Sequence, residues 1–226
     1  MPYVIAKPEV ARGIYDSWDE CWAALDGTKG ERRYMEVSSR EEGEAILDGH
    51  GVVLKAGSYA FTDGNGLGGV GVVLVGMGDD NNEPVTVNEI PTSVADVFRS
   101  SLIPGLDSDE LIAEALARQK NILAEMAALL LALRELPEEA EVTIVHDYVG
   151  VRNWMEGDSK PPKDPALKAV LAACVDLRDG KGLRLTFLHQ PGHRSDWAGR
   201  HDLARFNRRA DELATEGSSL GLGPDV

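Results

Sequence analysis

A chain of 226 residues with 43% hydrophobic content has apolar material for one large domain, or for a medium domain and a small one, and is not disordered as a whole. Its net charge of -15, from 38 acids against 23 bases, excludes a protein that coats nucleic acid through a broad basic surface, while leaving room for an enzyme that grips phosphates locally and holds cations with carboxylates. No apolar run reaches membrane-spanning length, the first residues lack a signal-peptide pattern, and Cys21 and Cys174 stand far apart with no partner motif, so a reducing compartment, the cytoplasm, is the expectation.

Residues 1–48 read as a small α+β unit of three short strands and two helices. Tyr3 to Ala6 forms the first strand, and a turn at Arg12-Gly13 leads into a second at Ile14-Tyr15. Ser17 followed three positions later by Glu20 is a capping box, which starts a helix through Trp22 to Leu25 that stops near Gly27. Arg33 to Val37 is the third strand, and Ser38 or Ser39 opens a second helix over Arg40 to Leu47. Trp22 is expected in the core of this unit; Trp18 fits core packing and an exposed contact equally. Residues 49–57, rich in glycine, read as a linker.

The second unit spans 58–217. Tyr59 to Phe61 ends in Thr62-Asp63-Gly64, glycines follow, and Val70 to Val75 is a second apolar run, so the pair reads as a hairpin. Asp-Gly alone is ordinary turn chemistry. Val85 to Val87 alternates as a third strand. Thr92 to Ser101 reads as a short helix, and Asp107-Ser108-Asp109 caps another, with Val94, Phe98, Leu111 and Leu116 needing burial. A long helix covers Asn121 to Leu136, with Ile122, Met126, Leu129, Leu130 and Leu133 as its stripe and Pro137 as its stop. Glu125 sits in its first turns, where an acid alone means only dipole compensation. Glu141 to Val145 is a buried-type strand running into His146-Asp147-Tyr148. Gly150 to Met155 and Ala166 to Arg178 read as helices, the latter with Cys174 in its apolar face. Leu183 to Leu188 is the last strand, His189 to Trp197 a loop, and Gly199 to Glu216 the last helix. Residues 218–226 read as a frayed tail.

Four acids fall at strand ends and helix faces: Asp63, Glu125, Asp147 and Asp211. In a mixed sheet flanked by helices such positions can converge. Four carboxylates with no thiolates favour hard cations with oxygen ligands, Mg²⁺ or Mn²⁺. Two such ions suit in-line attack on a phosphodiester, one activating the attacking water and the other stabilising the leaving oxygen. Carboxylates so crowded cannot all stay ionised without cations.

These blocks carry a resemblance. Thr62-Asp63-Gly64, Asn121-Ile122-Leu123-Ala124-Glu125, His146-Asp147-Tyr148 with Trp154 and Gly157, Gly192-His193, and Asn207 to Ala214 resemble, in order, the motifs of type 1 ribonuclease H. Gly13-Ile14-Tyr15, Ser17 to Cys21, Tyr34 and Glu41 to Ala45 resemble the small hybrid-binding, viroplasmin-like module found before many such enzymes. The resemblance covers nearly the whole chain. It implies an α/β fold with a ribonuclease H-like mixed five-stranded sheet, and an endoribonuclease that cleaves the RNA strand of RNA–DNA hybrids with two Mg²⁺ ions, leaving 5′-phosphate and 3′-hydroxyl ends. Asp63, Glu125, Asp147 and Asp211 would hold the metals, with Asp63 shared. Glu125 with the backbone of Gly64 and Asn65 would read the RNA 2′-hydroxyl. Asn121 and Asn207 would touch the duplex, His193 would assist proton transfer or product release, and Trp18, Tyr34 and Tyr3 would be the module's aromatic contacts. A monomer is expected.

The chain also departs from that pattern. The segment from Gly76 to Arg118 is longer than usual, His193 and Asp211 stand further apart than usual, and the basic protrusion is replaced by Asp158 to Lys163. The module's lysine pair falls on Met35 and Glu36. His189 and His193 straddle Pro191-Gly192 with no cysteine pair nearby, which argues against zinc. Arg194, Arg200, Arg205, Arg208 and Arg209 fit a phosphate-facing patch or a solvated helix face balanced by Asp196, Asp202 and Glu212. Two other functions compete: a DNA nuclease or resolvase of the same fold, opposed by the Asn121 and Gly192-His193 blocks, and a non-catalytic hybrid-binding protein, opposed by retention of all four acids.

Overall fold

Two sheets form, and the period-two pattern of their strands sets what each face packs against. The computed structural model describes residues 2–30, 32–37, 39–47, 56–78, 84–103, 108–190 and 202–220. The small sheet holds β1 (Tyr3–Lys7), β2 (Gly13–Tyr15) and β3 (Arg33–Glu36) in the antiparallel order β2-β1-β3. It carries α1 (Trp18–Leu25) and α2 (Arg40–Leu47). The Ser17 hydroxyl accepts from the Glu20 amide at 3.2 Å, so α1 starts where its capping box places it.

The large sheet has the order β6-β5-β4-β7-β8. Its strands are β4 (Gly57–Gly64), β5 (Gly69–Met77), β6 (Val85–Ser93), β7 (Glu141–His146) and β8 (Arg184–His189). β4, β5 and β6 pair antiparallel, while β4–β7 and β7–β8 pair parallel. This is the mixed five-stranded sheet flanked by helices that the sequence implies. Ala60, Val70, Val72 and Ile144 face α4 (Asp109–Glu135) and α6 (Pro165–Gly180) in one core cluster. Tyr59, Phe61, Val73, Val75 and Val145 face the other way, toward Phe206, Ala210 and Leu213 of α7 (Asp202–Leu220). α7 lies tight on β5 because Gly71 lacks a side chain: a Cβ there would stand 1.9 Å from the Ala210 carbonyl oxygen.

Several boundaries differ from expectation. The third strand runs on to Ser93, not Val87, since an edge strand tolerates the polar run and Pro91 that hide it. Ser93 then caps a short α3 (Val94–Val97), followed by one turn of π-helix over Phe98–Leu102. Val94 and Phe98 are buried, but Leu111 is 42% exposed, and Ile112 and Ala115 turn inward in its place. The two helices expected around Leu111 and Asn121 form one element, α4, interrupted by non-helical backbone at Gln119. The last helix continues to Leu220, so residues 218–220 are not a frayed tail, and Ser218 is buried. Cys174 lies in the apolar face of α6, as expected. Among the described residues no helix is long and apolar enough to cross a membrane.

The small sheet packs onto the large one. Val4, Met35, Val37 and Ile46 share a core cluster with Tyr59, Phe61, Leu188 and Phe206. Glu36, 2% exposed, receives Arg152 Nη1 at 2.8 Å from α5 (Val149–Met155) and the Tyr3 hydroxyl at 3.1 Å. Both positions that correspond to the missing lysine pair are therefore buried, Met35 in the cluster shared with the large sheet and Glu36 on the opposite face of its strand against Arg152 and Tyr3. Trp22, expected in the core, is half exposed: it leans on Trp18 with ring centroids 5.7 Å apart and has the Arg32 guanidinium 5.9 Å from its ring.

Candidate active site

Strand register brings the acids together. β4 and β7 pair in parallel with Phe61 beside Val145, so two residues further on Asp63 stands beside Asp147. Across β4–β5, Asp63 pairs with Gly71, the residue on which the Ala210 turn of α7 rests, and this sets Asp211 next to Asp63. Glu125 arrives from α4. Gly64 makes that possible, since a Cβ there would lie 2.3 Å from the Glu125 amide nitrogen and 2.2 Å from the Ala124 carbonyl carbon. Any side chain at 64 would push α4, and Glu125 with it, off the sheet.

Carboxylate oxygens of Asp63, Glu125 and Asp147 lie within 4.8 Å of one another. Asp63 and Glu125 are each only 7% exposed, and Glu125 Oε2 is buried with no hydrogen-bond partner among the described residues. Burial, then the neighbouring charges of Asp147 and Asp211, raises the Asp63 carboxyl to about 8; the Gly64 amide opposes this only in part. Burial, then Asp147 and Asp63, holds Glu125 well above the usual carboxylate range. The arrangement is costly as a set of free anions. A divalent cation removes that cost, and an all-oxygen donor set with a spare buried oxygen fits Mg²⁺ or Mn²⁺. A phosphodiester would be repelled by these acids until cations are held there.

The other expected site residues separate into three groups. Asn121 is exposed on α4, one turn before Glu125, with its Oδ1 against Gly66: a Cβ on that glycine would lie 2.9 Å away. Asn207, one turn before Asp211, has a buried Oδ1 with no partner among the described residues. Asn65 is corrected: it is tied up in structure. Its Nδ2 donates to the Ala214 carbonyl and Ser218 Oγ, both at 2.9 Å, its Oδ1 accepts from the Leu67 and Gly69 amides, and its own amide donates to Gly69 O at 3.1 Å. Of the backbone groups expected to read a ligand, the Gly64 amide is the one directed at the acids. His193 lies outside the described residues. Tyr3, Trp18 and Tyr34 do cluster, with Trp18 5.4 Å from Tyr3 and 5.7 Å from Tyr34, but they line a cleft toward α5 rather than the acid cluster.

Sequence reasoning missed two histidines that support the site. His189 Nε2 lies 2.9 Å from the Asp147 carbonyl oxygen; a carbonyl only accepts, so Nε2 carries the proton and fixes the backbone of Asp147. His146 is wholly buried, its Nδ1 is 3.0 Å from Tyr148 O, and burial pushes the imidazolium down to about 3, so the ring is neutral. Their places at the ends of β7 and β8 were the available signal. Of the arginines weighed as a patch, Arg209 is engaged by Glu89, Glu212 and Glu216, which makes it part of a solvated charge network. Arg205 stacks over Phe206 at 4.5 Å.

No protein-family model and no curated protein matches the chain. Solved structures similar to it include ribonucleases H1. LC11-RNase H1 in complex with an RNA/DNA hybrid is 24% identical over 74% of this chain and 99% of its own, with a TM-score of 0.48. RNase H1 from the halophilic archaeon Halobacterium salinarum NRC-1 is 20% identical over 72% and 96%, with a TM-score of 0.44. The N-terminal RNase H domain of a Mycobacterium tuberculosis protein is 16% identical over 74% and 100%, with a TM-score of 0.45. At such identities and scores these likenesses assign no residue a role in this chain.

Proposed function

We propose that this chain is a metal-dependent endoribonuclease that hydrolyses the RNA strand of RNA–DNA hybrids and leaves 5′-phosphate and 3′-hydroxyl ends. The observation that supports it most is the convergence of Asp63, Glu125 and Asp147, with Asp211 against Asp63, at one end of the sheet. The order of the motifs around these acids, read from the sequence, gives the substrate class.

Asp63, Glu125, Asp147 and Asp211 would hold two Mg²⁺ ions, with Mn²⁺ as a substitute. When bound, such ions activate a water and stabilise the leaving oxygen of an in-line displacement. The chain's own groups do the rest. Gly64 lets α4 approach and aims its amide between two carboxyls. Glu125 carries a free oxygen that can accept from a ribose 2′-hydroxyl, the group that separates RNA from DNA. Asn121, exposed one turn away, offers an amide to the minor-groove edge. His189 keeps the Asp147 backbone in place. His193, between His189 and α7 in the chain, would assist proton transfer or product release.

The test is a substrate panel. Matched 20-base-pair hybrid, duplex RNA and duplex DNA, each end-labelled, are incubated with the full chain in Mg²⁺ and in chelator. Cleavage of the RNA strand of the hybrid alone, abolished by chelator, is expected. Cleavage of duplex DNA instead identifies a DNA nuclease of the same fold, and tight hybrid binding without cleavage identifies a binding protein.

A further inference from the structure

Asp147 stands at a joint. β7 ends at His146 and α5 begins at Val149, so the acid lies in the short connection between a strand and a helix. Residues 1–47 hold both sides of that joint.

The strand side is held by packing. Val145, just before His146-Asp147, shares a core cluster with Val4, Met35, Val37 and Ile46. Leu188, its partner in register on β8, lies in the same cluster, and the next residue, His189, donates to the Asp147 carbonyl at 2.9 Å. The helix side is held by charge. α5 has seven residues, too few to hold its place without tertiary contacts. Among the described residues its N-cap, Tyr148, makes no side-chain capping bond. Val151 and Met155 bury one side of it, but apolar contacts tolerate sliding. Arg152 reaches the small sheet instead: its Nη1 is 2.8 Å from Glu36 Oε1, which also accepts from the Tyr3 hydroxyl at 3.1 Å, and its Nε is 2.7 Å from Glu156 of the same helix. A guanidinium–carboxylate pair bonds in few orientations. Apolar side chains of like volume often replace a buried ion pair with no loss of stability. Stability alone therefore does not account for a carboxylate that is 2% exposed, whereas fixing an orientation does.

We infer that Glu36 and Arg152 are positioning residues for the metal site: the pair fixes the direction in which α5 leaves Asp147, and so the aim of the Asp147 carboxylate at a divalent cation. The small sheet is then part of the frame of the active site. The inference rests on the metal-held acid cluster proposed above. Asp63, Glu125 and Asp211 are placed by sheet register and by the close approaches at Gly64 and Gly71, so the pair acts on Asp147 alone.

The experiment is calorimetric titration of Mn²⁺ alone into the full chain, without substrate, beside urea unfolding of the same proteins in chelator. Glu36→Gln keeps the shape of the side chain and removes its charge. The double change Glu36→Leu, Arg152→Met replaces the pair by apolar side chains, which should hold the sheets together about as well. Both variants should bind Mn²⁺ about tenfold more weakly than the parent, the low end for groups that orient a metal ligand without touching the metal. The double variant separates the roles, since its stability should return while its metal affinity does not. In hybrid cleavage the half-saturating Mg²⁺ should rise by about the same tenfold, with kcat largely restored at saturating Mg²⁺. Glu141→Gln, which breaks an exposed pair with Arg184 at the far ends of β7 and β8, should leave Mn²⁺ affinity unchanged. Parent-like Mn²⁺ affinity in the double variant, or affinity that follows stability across the variants, overturns the inference and leaves the metal-site reading standing. A parent that binds no Mn²⁺ overturns both.

Discussion

Replacing Asp63 by asparagine should stabilise the metal-free protein at neutral pH while destroying its proposed activity. The folded chain raises the Asp63 carboxyl to about 8, against about 3.9 for an unfolded aspartate. Between those values the folded state holds a proton that the unfolded state has released. Stability therefore falls as pH rises through this window, by at most about 1.4 kcal/mol per pH unit. At pH 7 the accumulated loss is at most about 4 kcal/mol. The substituted amide would not ionise, but a poorly paired buried amide costs about 1–3 kcal/mol in return. The net expectation is a variant more stable than the parent by about 1–3 kcal/mol at pH 7, which raises Tm by about 2–12 °C for a chain of this size. The gap should close toward pH 5. Thermal and urea melts in chelator at pH 5, 6, 7 and 8 measure it. Adding Mg²⁺ should then raise the parent more than the variant, because the parent alone keeps the full carboxylate set. A variant less stable than the parent at pH 8 in chelator, or a gap that does not change with pH, would refute the idea that crowded, buried acids strain this site.

Three other outcomes follow from the packing and the motifs. Gly71→Ala puts a methyl 1.9 Å from the Ala210 carbonyl oxygen; backbone cannot yield cheaply there, so a loss of about 2 kcal/mol or more by urea unfolding is expected, and a loss below ~0.5 kcal/mol would show that α7 moves freely on the sheet. Arg152→Met strands the buried Glu36 carboxylate and should cost about 3 kcal/mol, whereas the double change with Glu36→Leu should recover much of it; additive losses would mean that the pair does not couple the two sheets. His193→Ala should slow hybrid cleavage by roughly 10²-fold with hybrid affinity unchanged, read from single-turnover rates beside binding titrations, and an unaltered rate would remove His193 from the chemistry.

Much of the site was legible because each acid ends or opens a strongly patterned element. Asp63 closes the apolar run of β4, Asp147 follows that of β7, and Glu125 rides a helix whose stripe of leucines is unmistakable. What the residues could not show was how closely those elements approach. That depends on Gly64 and Gly71, where the absence of a side chain matters only once the facing helix is placed. Asn65 looked like a ligand contact because it follows the Asp-Gly pair, yet its amide bridges the hairpin to Ala214 and Ser218, some 150 residues away in the chain. The same bridge explains why the polar stretch at Ser218, which resembles a frayed end, stays helical. β6 was read too short because an edge strand keeps no apolar alternation on its open side. In residues 1–48 the sequence offered only Trp18 and Trp22 as core candidates; so short a unit buries little by itself, and Val4, Met35, Val37 and Ile46 share a core with the large sheet. The acid at Glu36, which looked only like a lost phosphate contact, is the buried half of the bridge to Arg152.

The measurement that bears most directly on the proposed metal-held acid cluster is the rate of RNA-strand cleavage in a hybrid as Mg²⁺ is titrated, for the parent beside Glu125→Gln. Glutamine preserves the shape of a side chain only 7% exposed but removes one charge from the set. The parent rate should rise with Mg²⁺ and saturate, and the ends should carry 5′-phosphate and 3′-hydroxyl. The variant should fold, bind hybrid and lose nearly all cleavage at every Mg²⁺ concentration. Cleavage by Glu125→Gln at close to the parent rate, or cleavage by the parent that persists undiminished in chelator, would contradict a metal-held cluster.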